Sequence, residues 1–405
     1  MTVAEQLRPG TPADAVDGVT PRFVAEPTTG AACAAVLAAA AVARHATVIR
    51  GGGTKMGWGR PVEAVDLAVS TTGLGDLLVH RDGDLTATVG AGVPLSRLNT
   101  TLAARGQWLP VDSAFAATSV GGMLATNDSG PLRHRFGTPR DLLIGITLAL
   151  TDGRVVKAGG TVVKNVAGYD LGKLVTGSYG ALAAIVDATF KLLPLPHASA
   201  TLRAVYNDPA ALAADAVALA AGQLEPLAFD IRASGTPEGP RWSLFVRFAS
   251  SPAAVSFQID AARALLRGDT TALRDGMETR AWAEQVALPW DGEGVVMRCS
   301  WLPSRLADVL ALLDTMGEGG EVVLAGRVAT GSGLVRLTGP DAPIAAAIAR
   351  ARAASSPVGH VVLVRGSRAL RAQVDVWGAA PSTPAVALKR ALDPAGILNA
   401  GRGPI

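Results

Sequence analysis

The run SVGGMLATNDSG at residues 119–130 constrains this chain more than any other stretch. It sets two small-residue clusters, Gly121-Gly122 and Asp128-Ser129-Gly130, on either side of one short apolar helical turn. Small residues so spaced let backbone N–H groups approach a flat or anionic ligand that side chains would hold off. A second cluster, RGGGTKMGWG at residues 50–59, follows directly on the apolar segment ATVIR. Three glycines after a buried strand can turn successive N–H groups inward as a nest for a pyrophosphate, with Arg50 and Lys55 adding positive charge. A triple glycine by itself is more often a flexible turn. The strand before it, the Thr-Lys after it and the later glycine cluster favour the nest.

Past the second cluster, LLIGITLALTDGRVVKAGG reads as a hairpin with a type I′ turn at Asp152-Gly153. The Gly-rich series KNVAGYDLGKLVTGSYGALAAIVDATFKLLPLP then runs to residue 196. Two other phosphate motifs are missing: there is no GxxxxGK[ST], and no GxGxxG opens a helix after a strand. Gly90-Ala91-Gly92 comes nearest, but it leads into Val93-Pro94-Leu95 without the third glycine. Neither a P-loop nor a nicotinamide site of the chain's own is expected.

The 405 residues, 49% of them hydrophobic, suffice for a large core and two domains. Net charge is +3, and 31 Arg against 6 Lys, with no basic run of five, is compositional bias rather than a nucleic-acid face. Two cysteines supply neither a disulfide framework nor an iron–sulfur cluster. The five histidines are scattered without metal-ligand spacing, so no metal is expected. No signal peptide is evident, and the longest apolar run, residues 31–43, is too short to span a bilayer. A cytoplasmic location without direct membrane insertion is expected.

In chain order, residues 20–59 form a small α/β unit: the strand PRFVAEP, an alanine-rich helix capped by Thr28 or Thr29, and ATVIR. Residues 60–196 add the strands AVDLAVST and DLTATVGAGV, separated by a turn at Asp82-Gly83. Pro94 is read as a first-turn proline for the helix LSRLNTTLAARG. Residues 197–375 repeat a strand–helix–strand–strand–helix order twice, expected as an antiparallel sheet covered on one face by helices. Residues 376–405, TPAVALKRAL and DPAGILNAGR, return to the first domain. The fold class is α+β.

RGGGTK, TSVGGMLATNDSG, RFGTPRD, ALTDG, KNVAGYDLGKLVTGSYGALAAI and LDPAGILNAGR, taken as an ordered set, resemble the vanillyl-alcohol oxidase/p-cresol methylhydroxylase (PCMH-type) FAD-binding superfamily. Within it, GYDLGKL and RGGGTKMGWGRP are most similar to the FAD-binding (E-type) subunits of bacterial glycolate oxidase. The resemblance implies a two-subdomain FAD domain and a cap domain for substrate or partner. Gly51, Gly52, Gly53, Thr54 and Lys55 would bind the FAD pyrophosphate through backbone amides. Ser119, Gly121 and Gly122 would meet the pyrophosphate and ribityl side, and Ala125, Asn127, Ser129 and Gly130 would line the isoalloxazine. Gly177, Ser178 and Gly180 would form a late turn, with Ile185 or Val186 reading the adenine. Asn399 and Arg402 would lie near the flavin, although Ala400 replaces the usual proline.

Departures from the pattern matter too. Thr54 stands where covalently flavinylated members often carry histidine, so the FAD is expected to be non-covalent. Tyr179 and Ala183 replace a Glu and a Gly of the family's late turn. Arg133 and Arg135 are weak candidates for a substrate carboxylate, and His360 is a weak candidate base. The implied function is a flavin subunit of a glycolate or D-lactate oxidising complex. It would accept hydride from a 2-hydroxy acid or relay electrons beside a sister flavoprotein subunit and an iron–sulfur subunit. A self-sufficient D-2-hydroxy-acid dehydrogenase and a non-catalytic assembly subunit are the alternatives.

Overall fold

The computed structural model describes residues 7–162, 168–234, 241–316, 320–353, 355–399 and 401–405. Residues 163–167, which include the start of KNVAGYD, and Ala400 lie outside the described residues. The chain divides into unit 1 (Met1–Ser129, Phe136–Leu195 and Ala380–Ile405) and unit 2 (Gly130–Arg135 and Pro196–Ala379).

Unit 1 holds β1 (Leu7–Pro9), β2 (Phe23–Ala25), β3 (Thr47–Arg50), β4 (Leu67–Ser70), β5 (Leu77–Arg81) and β6 (Thr86–Gly90). It continues with β7 (Gln107–Trp108), β8 (Leu143–Ala149), β9 (Val155–Gly159), β10 (Ala184–Lys191) and β11 (Leu193–Pro194). The first sheet has the order β1-β2-β4-β3, with β4 parallel to both β2 and β3. Parallel strands need a crossover, which α1 (Gly30–Ala43) supplies between β2 and β3. Thr29 caps α1 by accepting the Ala32 N–H at 3.1 Å, and Arg44 in the left-handed region (φ 52°) ends it. Its small side chains let α1 pack both ways. Val36 and Leu37 share one core with Val69 of β4 and with Ala184 and Val186 of β10.

The second sheet, β5-β6-β10-β8-β9, is antiparallel throughout. Its core includes Leu148, Leu182 and Phe190 with Leu98 and Leu102 of α2 (Leu95–Ala103), which buries its leucine stripe there. Pro94 is the N-cap of α2 rather than its first turn.

Two local expectations are corrected. The segment around LAVS, expected beyond the subdomain divide at residue 59, places β4 in the first sheet. All four β4 residues are buried, as a strand between two parallel neighbours requires. The β8–β9 hairpin does not turn as type I′. Gly153 N donates to Leu150 O at 3.2 Å, and of the turn residues Gly153 alone is left-handed (φ 87°), a type I turn with a glycine bulge.

After the helix Thr383–Leu392 the chain runs beside β3. Thr47 N donates to Ile397 O, and Asn399 N donates to Thr47 O, both at 2.9 Å.

Beyond the unit 1 helix α3 (Val120–Thr126), unit 2 is built around β12 (Ala198–Tyr206), α4 (Pro209–Ala220), β13 (Ala228–Ser234), β14 (Arg241–Ser250), α5 (Pro252–Leu265) and β15 (Asp269–Leu273). After α6 (Asp275–Ala287) come β16 (Val295–Trp301), α7 (Leu306–Met316), β17 (Val322–Arg327), β18 (Ser332–Leu337), α8 (Asp341–Ala351) and β19 (Val358–Arg365). The sheet order is β15-β12-β14-β13-β17-β18-β16-β19, all antiparallel. Two βαββαβ repeats thus meet edge to edge through their second strands, β13 and β17.

Helices reach both faces of this sheet, not one. Tyr206 Oη donates to Asp215 of α4 at 2.8 Å, whereas Thr201 Oγ1 donates to Glu278 of α6 at 2.8 Å. Residues 201 and 206 of one strand point to opposite faces. Helix α6 was not anticipated: its polar residues Glu278 and Gln285 are buried by hydrogen bonding rather than by apolar periodicity.

Candidate functional site

At the end of β3 the backbone enters the triple glycine. Among the described residues, the N–H groups of Gly51, Gly52, Gly53 and Thr54 donate no hydrogen bond to the protein. The glycines are required by close approach. A Cβ on Gly51 would lie 2.0 Å from Ser119 Oγ, and one on Gly52 would lie 1.7 Å from the Ala117 carbonyl oxygen. Gly53 is left-handed (φ 73°), and a Cβ there would meet the Arg50 guanidinium at 2.7 Å. Arg50 itself donates to Ala13 O at 3.1 Å and backs the loop from behind.

Facing this loop is α3 (Val120–Thr126). Ser119 caps it by accepting the Gly122 N–H at 3.2 Å, and Asn127 (φ 46°) closes it. Gly121 N donates to Ala91 O at 2.8 Å, and a Cβ on Gly121 would come 2.9 Å from Ala91 Cβ. The amides of Gly121 and Gly122 are therefore taken up within the protein. These two glycines contribute close packing, not the ligand-facing N–H groups expected from the sequence.

Between loop and helix lies a cavity open to solvent. Of the expected residues, Gly51, Gly52, Gly53, Thr54, Lys55, Ser119, Gly121, Gly122, Ala125, Ser178, Gly180, Ile185, Asn399 and Arg402 line it. Ile49, Met56, Thr71 and Thr126 line it as well, without having been singled out, and so do Tyr179 and Ala183, read from the sequence only as departures in the late turn. Arg50, Asn127, Ser129, Gly130, Gly177 and Val186 are not in its wall. Val186 packs instead against Gly30 of α1, and Gly177 N donates to Leu124 O at 2.9 Å to shape the late turn.

The cavity wall is polar at chosen points. Lys55 is 6% exposed, with its Nζ 3.3 Å from Asp128 Oδ2. Arg402, 4% exposed, donates from Nε to Trp58 O at 3.1 Å and from Nη2 to Met56 O, so the C-terminal segment clasps the glycine loop. Asn399 Nδ2 donates to Tyr179 O, while Asn399 Oδ1 is buried with no partner among the described residues. Tyr179 is left-handed (φ 56°), and its N–H donates to Ala125 O at 2.8 Å. A non-glycine in this region is strained, and strain of this kind collects at ligand sites.

The three catalytic candidates are placed elsewhere. Arg135 pairs with Glu225 at 3.0 Å, both side chains exposed, and Arg133 lies beside it in the short helix Arg133–Phe136. His360 is exposed on β19, opposite Ser300 of β16. None of the three lines the cavity.

A family model described as an FAD binding domain matches residues 21–159. Glycolate oxidase subunit GlcE of Escherichia coli (strain K12) is 30% identical over 368 residues, covering 88% of this chain and 91% of that one. D-lactate dehydrogenase of Archaeoglobus fulgidus is 36% identical over 146 residues, 36% of this chain and 33% of that one. Among solved structures, an alkyldihydroxyacetonephosphate synthase superposes with a TM-score of 0.71 at 15% identity, covering 98% of this chain and 83% of that one, a likeness of fold. With a relative of this identity spanning nearly its whole length, and with the α+β PCMH-type architecture, the chain belongs to the family of FAD-binding glycolate oxidase subunits.

Proposed function

We propose that the cavity between the glycine loop and α3 holds FAD, and that the chain oxidises a small 2-hydroxy acid, glycolate or D-lactate, as one subunit of an oxidase complex. The observation that carries this reading is the row of four free amides, Gly51 to Thr54, lining one cavity together with Ser119, Ala125, Tyr179 and Asn399. Gly52 is exposed and Gly51, Gly53 and Thr54 are partly so, which leaves these amides open to an acceptor, and a diphosphate supplies several in a row. The orphaned Asn399 Oδ1 fits the same ligand, because a flavin ring or its ribityl chain brings the missing donor.

In this reading the amides of Gly51–Thr54 hold the diphosphate, and Ala125, Tyr179 and Asn399 shape the wall for the flat ring. Ile185 and Ala183 offer apolar contact to the adenine side. Bound FAD supplies the acceptor for the hydride removed with oxidation of the alcohol carbon. Attachment is non-covalent, with Thr54 providing no ring nitrogen for a link. Arg133, Arg135 and His360 stand outside the cavity wall. That favours a subunit that passes electrons onward to an iron–sulfur partner beside a sister flavoprotein.

The visible spectrum of the purified chain tests the reading, alone and with candidate partner subunits, before and after glycolate and D-lactate. Loss of the oxidised flavin band with partners present supports it, and loss with the chain alone makes the chain self-sufficient. A flavin that stays oxidised under every condition reduces the chain to an assembly subunit.

A further inference from the structure

Directly paired residues of neighbouring antiparallel strands share a face, so the register of the unit 2 sheet places side chains beside one another across its strands. One row runs from His360 of β19 to Ser300 of β16, Ser332 of β18, Arg327 of β17 and Asp230 of β13. Arg232 stands on the same face, two residues further along β13. Exposure falls along the row. His360 is exposed, Ser300 and Ser332 are half-buried, Arg327 is 6% exposed and Asp230 is fully buried.

Arg327 makes no ion pair among the described residues: Nη1 donates to Ala325 O at 3.2 Å, and Nε is buried without a partner. Beside it, Arg232 donates from Nε to Gln285 at 3.0 Å and lies 3.8 Å from the exposed Glu284, while its Nη2 is also buried without a partner. A guanidinium keeps its charge at every pH a protein meets, so burying one without a carboxylate is costly until an anion joins it.

We propose that this face of unit 2 binds a small monocarboxylate, held by the unpaired N–H groups of Arg327 and Arg232 and approached along Ser332 and Ser300 from the His360 end. The inference rests on the 2-hydroxy-acid reading only for which acid is bound. Charge selects the class of ligand. Arg203, Arg232 and Arg327 set three cations against Asp230 and Glu284 on this part of the face, with Arg247 and Glu278 closed as a pair of their own at 3.1 Å. One positive charge is left over, which a monocarboxylate offsets and a phosphate dianion exceeds. The two oxygens of a carboxylate also match the planar N–H fork of a guanidinium.

The test is urea unfolding of the full chain at fixed ionic strength, with acetate replacing chloride. Acetate has the carboxylate and no hydroxyl to oxidise, and a ligand bound only by the folded chain raises the midpoint. Acetate is expected to raise the parent midpoint and to leave that of Arg327→Met unmoved. Arg327→Lys, a point charge without the fork, should show a smaller shift than the parent. Arg232→Met should lose the shift too, which keeps the assignment testable if Arg327→Met does not fold. Arg263→Gln, which removes an exposed arginine of α5, should behave as the parent and controls for lost surface charge. Gly52→Ala should keep the acetate shift while its flavin content falls, which separates this site from the glycine loop. A parent midpoint that ignores acetate, a shift retained in Arg327→Met, or one lost in Gly52→Ala overturns the site. A larger shift with phosphate than with acetate at equal concentration overturns the monocarboxylate class. A chain that takes up no flavin yet shows the Arg327-dependent shift overturns the cavity reading and supports this site.

Discussion

Lys389 and Asp393 form a closed ion pair one helical turn apart, with Nζ 2.6 Å from Oδ2 and the Asp393 side chain fully buried. The same ammonium donates to Ala181 O at 2.8 Å and to Leu398 O at 2.7 Å, and the carboxylate accepts the N–H groups of Ile397 and Leu398. One pair thereby ties the C-terminal helix, the late glycine turn and the strand-like segment beside β3 together.

Lys389→Met should strand a buried carboxylate and cost about 3–5 kcal/mol, the usual penalty for removing one partner of such a pair. Urea unfolding of parent and variant measures it. A loss below about 1 kcal/mol, as for an exposed pair, would contradict the account.

Gly52→Ala puts a methyl group against the Ala117 carbonyl, which is backbone and cannot swing aside. Flavin affinity should fall by roughly tenfold or more, ~1.4 kcal/mol, with the far-UV circular dichroism retained. A variant that purifies with the parent flavin content counts against the loop as the diphosphate site.

Cys33 and Cys299 are 0% and 4% exposed, and burial pushes both thiols up to about 12. Only thiolates react, so neither should titrate with a thiol reagent at pH 8 until the fold is opened. Two groups should then appear in urea. Rapid labelling of the native chain would show a more open core than described here.

His134 packs edge-on against Phe229 at 6.1 Å, and burial, with Arg135 nearby, lowers its pKa. Its neutral form is favoured in the fold, so the unfolded chain binds more protons as pH falls through the ordinary histidine value near 6.5. The stability it contributes is complete above that value and is lost below it. Urea midpoints of the parent chain should drop more between pH 7 and pH 5 than those of His134→Gln, and parallel curves would refute the assignment.

Glycine made much of the site legible. Positions where the chain must approach Ala117 or Ser119 within van der Waals distance accept nothing larger, so the constraint is written in the residue itself. Thr71, Met56 and Thr126 carry no such mark. Thr71 reaches the cavity because β4 lies in the first sheet, and that placement comes from pairing with β2 and β3 rather than from local pattern. Tyr179 reads as an ordinary substitution, and its left-handed backbone emerges only from the turn that holds it. Helix α6 escaped notice for a similar reason, since Glu278 is buried by three polar neighbours, Ser199, Thr201 and Arg247, that lie far away in sequence.

The cavity wall draws on the glycine loop, Thr71, α3 and the late turn, together with Asn399 and Arg402, which are synthesised only after the whole of unit 2. A nascent chain that has already made both glycine clusters still lacks Asn399 and the Arg402 clasp over Met56 and Trp58. The cavity therefore has all of its walls only once the C-terminal segment has folded back beside β3.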